Sequence, residues 1–125
     1  MKVSDTNLLE GKGHEIIELL QGLHVPRTEA VCIACLVCGK ELTSQNIEQA
    51  SGLRQPEVSI AMRPLKEMEW IEERNEKKNN EKGRPLKYYK MIVPFDKIIE
   101  TLETDALKKE KEISQALAQL KDLSR

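Results

Sequence analysis

Between Leu42 and Met68 the chain holds two amphipathic segments joined by a turn with almost no slack. Thr43 is a residue type that caps helix N-termini, and Ile47, Ala50 and Leu53 follow it as a narrow apolar stripe. Gly52 stands where a helix end takes a left-handed residue. Gln55-Pro56 then opens a second helix, because proline is favoured in a first turn, where its missing N–H has no partner to lose. Val58, Ala61, Met62, Leu65 and Met68 recur at spacings of three and four, which predicts a helix with one buried face.

The flanking segments supply the rest of a small helical core. Ile16, Ile17, Leu19, Leu20 and Leu23 have helical period up to the break at His24-Val25-Pro26, with Gly11 and Gly13 weakening the start. A second helix is expected from Arg27-Thr28-Glu29 to a stop at Gly39, apolar almost all round and therefore buried. Aromatics make up 3% of the chain and apolar residues 39%, so the core is aliphatic, a composition that favours helices over sandwiches or barrels.

After Trp70-Ile71 the texture changes. A short strand leads into ERNEKKNNEKGRP, too polar to be buried, and Leu86 to Val93 is a run of β-formers, so a long two-stranded hairpin is expected. Beyond Pro94, positions 95, 99, 102, 106, 109, 113, 116, 120 and 123 alternate steps of four and three. Phe95, Ile99, Leu102, Ala106, Ile113, Ala116, Leu120 and Leu123 occupy eight of them, with Lys109 the exception. One narrow stripe on a lone helix needs a partner, most simply its own copy.

Three core helices, a tight turn between the short and the amphipathic one, and a hairpin directly after them make a helix-turn-helix with a wing. The passage LTSQNIEQASGLRQPEVSIAMRPLKEMEWIEER, followed by KGRPLKYYKM, resembles the winged helix-turn-helix transcriptional regulators of the MarR and TrmB type. The resemblance covers about residues 27–93, and the trailing helix is similar to the dimerisation helix those families often carry. It implies a mainly α fold with a small β-hairpin wing, a DNA-binding domain over 1–93 and a coiled-coil-like dimerisation helix over 94–125. Three residues depart from the family pattern. Pro64 lies in the interior of the helix expected to read DNA, where it removes a hydrogen bond and crowds the carbonyl of Ile60, so a kink or an early end is expected. Glu69 stands where many relatives have Gly, and Glu57 puts an acid near the DNA-facing end, where it accepts from cytosine N4 or repels phosphate.

Net charge is only −1, which taken alone argues mildly against nucleic acid. Its distribution reverses that. Residues 1–53 carry −3, 54–90 carry +3 and 91–125 carry −1, while 74–90 alone hold seven bases against Glu76 and Glu81. Gln55, Glu57, Ser59, Ile60 and Arg63 are the expected base-reading face, Gln and Arg being the types that bond bidentately to adenine and guanine. Thr43, Ser44, Arg54, Lys66, Lys77, Lys78, Lys82, Arg84 and Lys87 are the expected contacts to the DNA backbone or minor groove. For Thr43 the capping role alone is an equal explanation, and a solvated, soluble hairpin tip is the plain alternative for the lysines.

Cys32, Cys35 and Cys38 form C-x-x-C-x-x-C within an apolar helix, in an arc of roughly 120°. Iron–sulfur runs of this spacing take a fourth cysteine, and the chain has three, so buried packing is the expected role and a metal or thiol sensor the minor one. His14 and His24 have no partners at metal-ligand spacing, and Gly11-Lys12-Gly13 is too short for a phosphate loop. No catalytic candidate stands out, so neither an enzyme nor a cofactor is expected. The start lacks a signal-peptide h-region, and the longest apolar run, Ala30 to Cys38, is nine residues against the ~20 a bilayer needs. The expectation is a cytoplasmic homodimer on double-stranded DNA, with no membrane contact and an effector the sequence does not name. Two rivals stay open: a winged helix that binds a protein, and a regulator gated through the cysteines.

Overall fold

A computed structural model describes residues 12–76 and 86–125. Among these residues it has five helices and three strands: α1 (Lys12–Gly22), α2 (Arg27–Leu36), β1 (Leu42–Thr43), α3 (Ser44–Ser51), α4 (Gln55–Glu67), β2 (Ile71–Glu76), β3 (Leu86–Met91) and α5 (Phe95–Leu123). The chain divides into two compact units, Met1–Val93 and Pro94–Arg125.

In the first unit α2 is the axis. Every residue from Ala30 to Leu36 is buried, and the helix touches α1, α3, α4 and β3. Ala30, Cys32, Ala34 and Cys35 are small, which lets four neighbours approach one cylinder closely. Ile17 and Leu20 of α1, Ile47 of α3, and Val58, Ala61, Met62 and Leu65 of α4 join it in the core, with Leu42, Trp70, Ile71, Tyr89 and Met91 from the sheet and its approach. The three-four spacing of the sequence maps onto the buried faces at these positions, whereas Leu19, Leu23 and Met68, which share the pattern, are exposed.

Each of the first four helices is followed by a residue with positive φ: His24 at 71°, Gly39 at 85°, Gly52 at 80° and Glu69 at 62°. Two of these ends have the same bond pattern. After α1, His24 N donates to Gln21 O and Val25 N to Leu20 O; after α4, Glu69 N donates to Lys66 O and Trp70 N to Leu65 O. These paired bonds satisfy the last carbonyls of a helix and require the residue between to turn left-handed. Burial of both Leu65 and Trp70 completes the motif at α4. Glycine is the natural occupant, and His24 and Glu69 fill the place against their own backbone preference. The oddity of Glu69 at a Gly position thus has a definite dihedral.

The sheet has three strands, not the two expected from sequence. Its order is β1-β3-β2, all antiparallel, with Leu42 opposite Tyr89, Thr43 opposite Tyr88, and β2 aligned from Ile71–Met91 to Glu76–Leu86. β1 has only two residues and no periodicity of its own, so it exists because β3 offers an edge. β2 also runs further than its composition suggests. Glu72 to Glu76 are weak β-formers, and cross-strand pairing with β3 holds them extended.

Pro64 does not end α4. The helix continues to Glu67, and Met68 N donates to Pro64 O at 3.0 Å. The carbonyl that proline deprives of a donor belongs to Ile60, which stands on the exposed face of the helix. In the second unit α5 runs unbroken for 29 residues. Ile98 is its buried residue, Phe95 and Leu102 are half-buried, and everything from Glu103 to Arg125 is exposed. The heptad positions Ile99, Ala106, Ile113, Ala116, Leu120 and Leu123 therefore lie on a bare surface.

Candidate nucleic-acid interface

The candidate surface is built on two helix starts. At α3, Thr43 Oγ1 accepts from Asn46 N and Asn46 Oδ1 accepts from Thr43 N, both at 3.0 Å. This reciprocal cap occupies the Thr43 hydroxyl and leaves Ser44 at the first helical position, half-buried. The turn after α3 is equally well satisfied. Gly52 N donates to Glu48 O at 2.8 Å, while Ser51 Oγ donates to Ile47 O at 2.6 Å and accepts from Leu53 N at 3.0 Å. Little conformational freedom is left between the two helices.

Arg54 is extended and precedes α4, and Glu57 Oε1 accepts from its backbone N–H at 2.9 Å. An acid at this place also complements the positive helix end. Glu57 therefore has a local structural role at the start of α4. Beyond it the outer face of α4 presents Gln55, Ile60 and Arg63 to solvent, with Ser59 half-buried at its border. Ile60 is 62% exposed, unusual for a β-branched apolar residue in the middle of a polar face.

Several bases expected to be free are engaged. Lys66 Nζ lies 2.7 Å from Glu73 Oε1, tying α4 to β2. Arg74 is held from three sides: Nε and Nη2 donate to the two Glu41 oxygens at 2.9 and 2.8 Å, and Nη1 donates to Glu76 at 2.6 Å. Its guanidinium also sits 4.4 Å from the centroid of the Tyr88 ring. The fork geometry suits a carboxylate and explains why an arginine, not a lysine, stands there. Hydrogen bonding by Arg74 holds the Glu41 carboxyl below its ordinary range, and the same bonds hold the guanidinium proton more firmly. Glu73 also stands opposite Tyr89, whose phenol is pushed up to about 12, chiefly by burial. The seven bases counted between 74 and 90 thus include one whose charge is neutralised inside the molecule.

Of the other expected contacts, Arg54 is exposed and Lys87 half-buried on β3. Lys77, Lys78, Lys82 and Arg84 lie outside the described residues. Lys90, exposed on β3 and not singled out from sequence, adds a base on the same strand as Lys87. The Glu41–Arg74 pair was beyond sequence reasoning, because no periodicity links positions 33 residues apart.

The cysteines divide two to one. Cys32 and Cys35 are buried in α2, and burial pushes both thiols up to about 12, which keeps them protonated and unreactive. Cys38 is exposed and its Sγ donates to Cys35 O at 3.5 Å. Among the described residues no group of three His, Cys, Asp or Glu side chains is placed to hold a metal ion, and no helix is long and apolar enough to cross a membrane. No protein-family model matches the chain, and no curated protein does.

Proposed function

We propose that the chain is a winged-helix transcriptional regulator that binds double-stranded DNA as a dimer. α4 is then the recognition helix, entering a major groove with Gln55, Ile60 and Arg63 toward base edges and Ser59 at the margin. The β2–β3 hairpin is the wing, its remaining bases following the backbone or an adjacent minor groove. The observation that supports this best is the outer face of α4. It is polar, exposed and, among the described residues, free of internal partners at Gln55 and Arg63, while Val58, Ala61, Met62 and Leu65 on the opposite face are buried and a segment rich in bases follows directly. A short capped helix joined to it by three residues gives the order of a helix-turn-helix. Two copies then match a pseudo-palindromic operator whose half-site centres lie ~10–10.5 bp, or a multiple, apart.

Binding to a random duplex at two salt concentrations tests this. Six to ten phosphate contacts weaken affinity ~10³–10⁵-fold between 50 and 200 mM salt. Absence of binding at low salt overturns the proposal and leaves the hairpin as a surface for an acidic protein. Selection of bound sites from a random pool then gives the half-site and its spacing in one experiment.

A further inference from the structure

Among the described residues, the C-terminal half of α5 carries a run of exposed large apolar side chains. Ile113, Leu117, Leu120 and Leu123 are 60%, 53%, 61% and 81% exposed on one side of the helix, and every residue from Glu103 to Arg125 is exposed. Such a stripe marks an interface, and the charges beside it discriminate between ways of filling it.

A second copy in parallel and in register is disfavoured twice. It sets Lys109 against the partner's Lys109 inside the seam. It also brings Asp105 alongside the partner's Glu110, five residues further on, where flanking charges of a parallel pair meet. Turning the second copy round removes both conflicts. With Ile113 opposite the partner's Ala116, the remaining layers follow: Lys109 opposite the partner's Leu120, and Ala106 opposite the partner's Leu123, each made twice by symmetry. Every layer then joins a smaller or thinner side chain to a branched one, as close packing of two helices requires. Glu110 comes alongside the partner's Lys121, so a like-charge contact becomes an opposite one. Lys109 lays its aliphatic stem on a leucine, with Asp105 and Glu112 of its own helix four residues before and three after to receive the ammonium.

We infer that α5 pairs with a second copy of itself in antiparallel orientation over residues 106–123, in the register that sets Lys109 against Leu120. This rests on the dimer in the proposed function and specifies how that dimer is made. The two strands run in opposite directions through a two-fold axis near Ser114-Gln115, which makes the contact self-complementary.

Cysteine cross-linking of the 125-residue chain, without DNA, tests it. In a Cys38→Ser background, Lys109→Cys and Leu120→Cys are made separately and oxidised alone or after subunit exchange. The antiparallel register gives disulfide dimers only in the mixture, because residue 120 lies about 16 Å along the axis from its own copy (11 residues at 1.5 Å). Efficient cross-linking of Leu120→Cys alone means a parallel pair and overturns the inference. A monomer in sedimentation with no cross-link in any sample also overturns it and assigns the stripe to a foreign partner. As a second readout, Glu110→Lys weakens self-association about tenfold and Lys121→Glu in the same chain restores it; a double variant no tighter than the single one contradicts the register. Duplex binding at low salt is measured separately, so failure of the DNA reading leaves these outcomes unaffected.

Discussion

The two left-handed helix ends at Gly52 and Glu69 offer a signed test of how backbone conformation sets stability here. Gly52 (φ 80°) and Glu69 (φ 62°) occupy the same well, one with the residue suited to it and one without. A Cβ added at Gly52 meets nothing within 4 Å, so Gly52→Ala introduces no clash and isolates the backbone term. Left-handed placement of a residue with a Cβ costs roughly 1–2 kcal/mol, and loss of glycine's extra unfolded-state freedom returns roughly 0.5–1 kcal/mol. Gly52→Ala is therefore expected to destabilise by about 0.5–1 kcal/mol, and Glu69→Gly to stabilise by the same amount for the same reasons reversed. In calorimetry each is a shift of about 2–8 °C in opposite directions for a unit of this size. Urea unfolding should give the same signs with an unchanged slope, since neither change alters buried surface. Glu69→Gln is the control for the carboxylate and should leave stability within about 0.5 kcal/mol. Destabilisation by Glu69→Gly refutes the account, because then the glutamate is held there by something other than tolerance of a strained dihedral.

Other expectations concern the surface and the thiols. Arg63→Ala should relax preference at one base pair by ~1–3 kcal/mol in competition binding, whereas Lys77→Ala with Lys78→Ala should weaken all duplexes alike; an unchanged preference in the first would misplace the reading face. Arg74→Ala should leave the salt dependence of DNA binding unaltered while Lys87→Ala lowers its slope by about one, because the Arg74 charge is already matched by Glu41 and Glu76. Native protein should react with a thiol reagent at one site, Cys38, and at three after unfolding; rapid reaction of two in the native state contradicts the burial of Cys32 and Cys35. Those two thiols, ordinarily near 9.0, are raised to about 12 in the fold, so their contribution is complete below pH 9 and lost as pH climbs toward 12, at about 1.4 kcal/mol per unit of displacement. Chemical unfolding at pH 8, 10 and 11 reads this as a falling midpoint, which Cys35→Ala should lessen.

How far the fold was legible depends on how local each signal is. The buried face of α4 was readable because a 3.6-residue period is written in consecutive residues, α2 because it is apolar almost all round, and Pro56 and Gly52 mark ends by their own dihedral limits. β1 was not, since two residues carry no period and the strand is defined by Tyr88 and Tyr89 across the sheet. Glu73 to Glu76 read as loop for the same reason. The pattern of charge was legible as a sum but not as a pairing: that Arg74 is consumed by Glu41, and Lys66 by Glu73, follows from three-dimensional neighbours alone. Pro64 shows the opposite failure. A local rule allowed for an early end to the helix, and α4 runs on to Glu67 with Pro64 inside it. In α5 the stripe was evident, yet Ile98, one position off the chosen heptad, is the residue that is buried.

Thr43 belongs at once to the sheet and to a helix. It sits opposite Tyr88 in the β1–β3 ladder and its side chain closes the first turn of α3. The start of that helix and the base of the hairpin are consequently one mechanical part, joined through a single residue with no hinge between them. Arg74 bolts the same two places together from outside, through Glu41 just ahead of β1. A ligand that meets α3 and the hairpin together encounters a frame already set, so the ordering entropy of bringing those elements into register is spent in folding and is absent from the binding step.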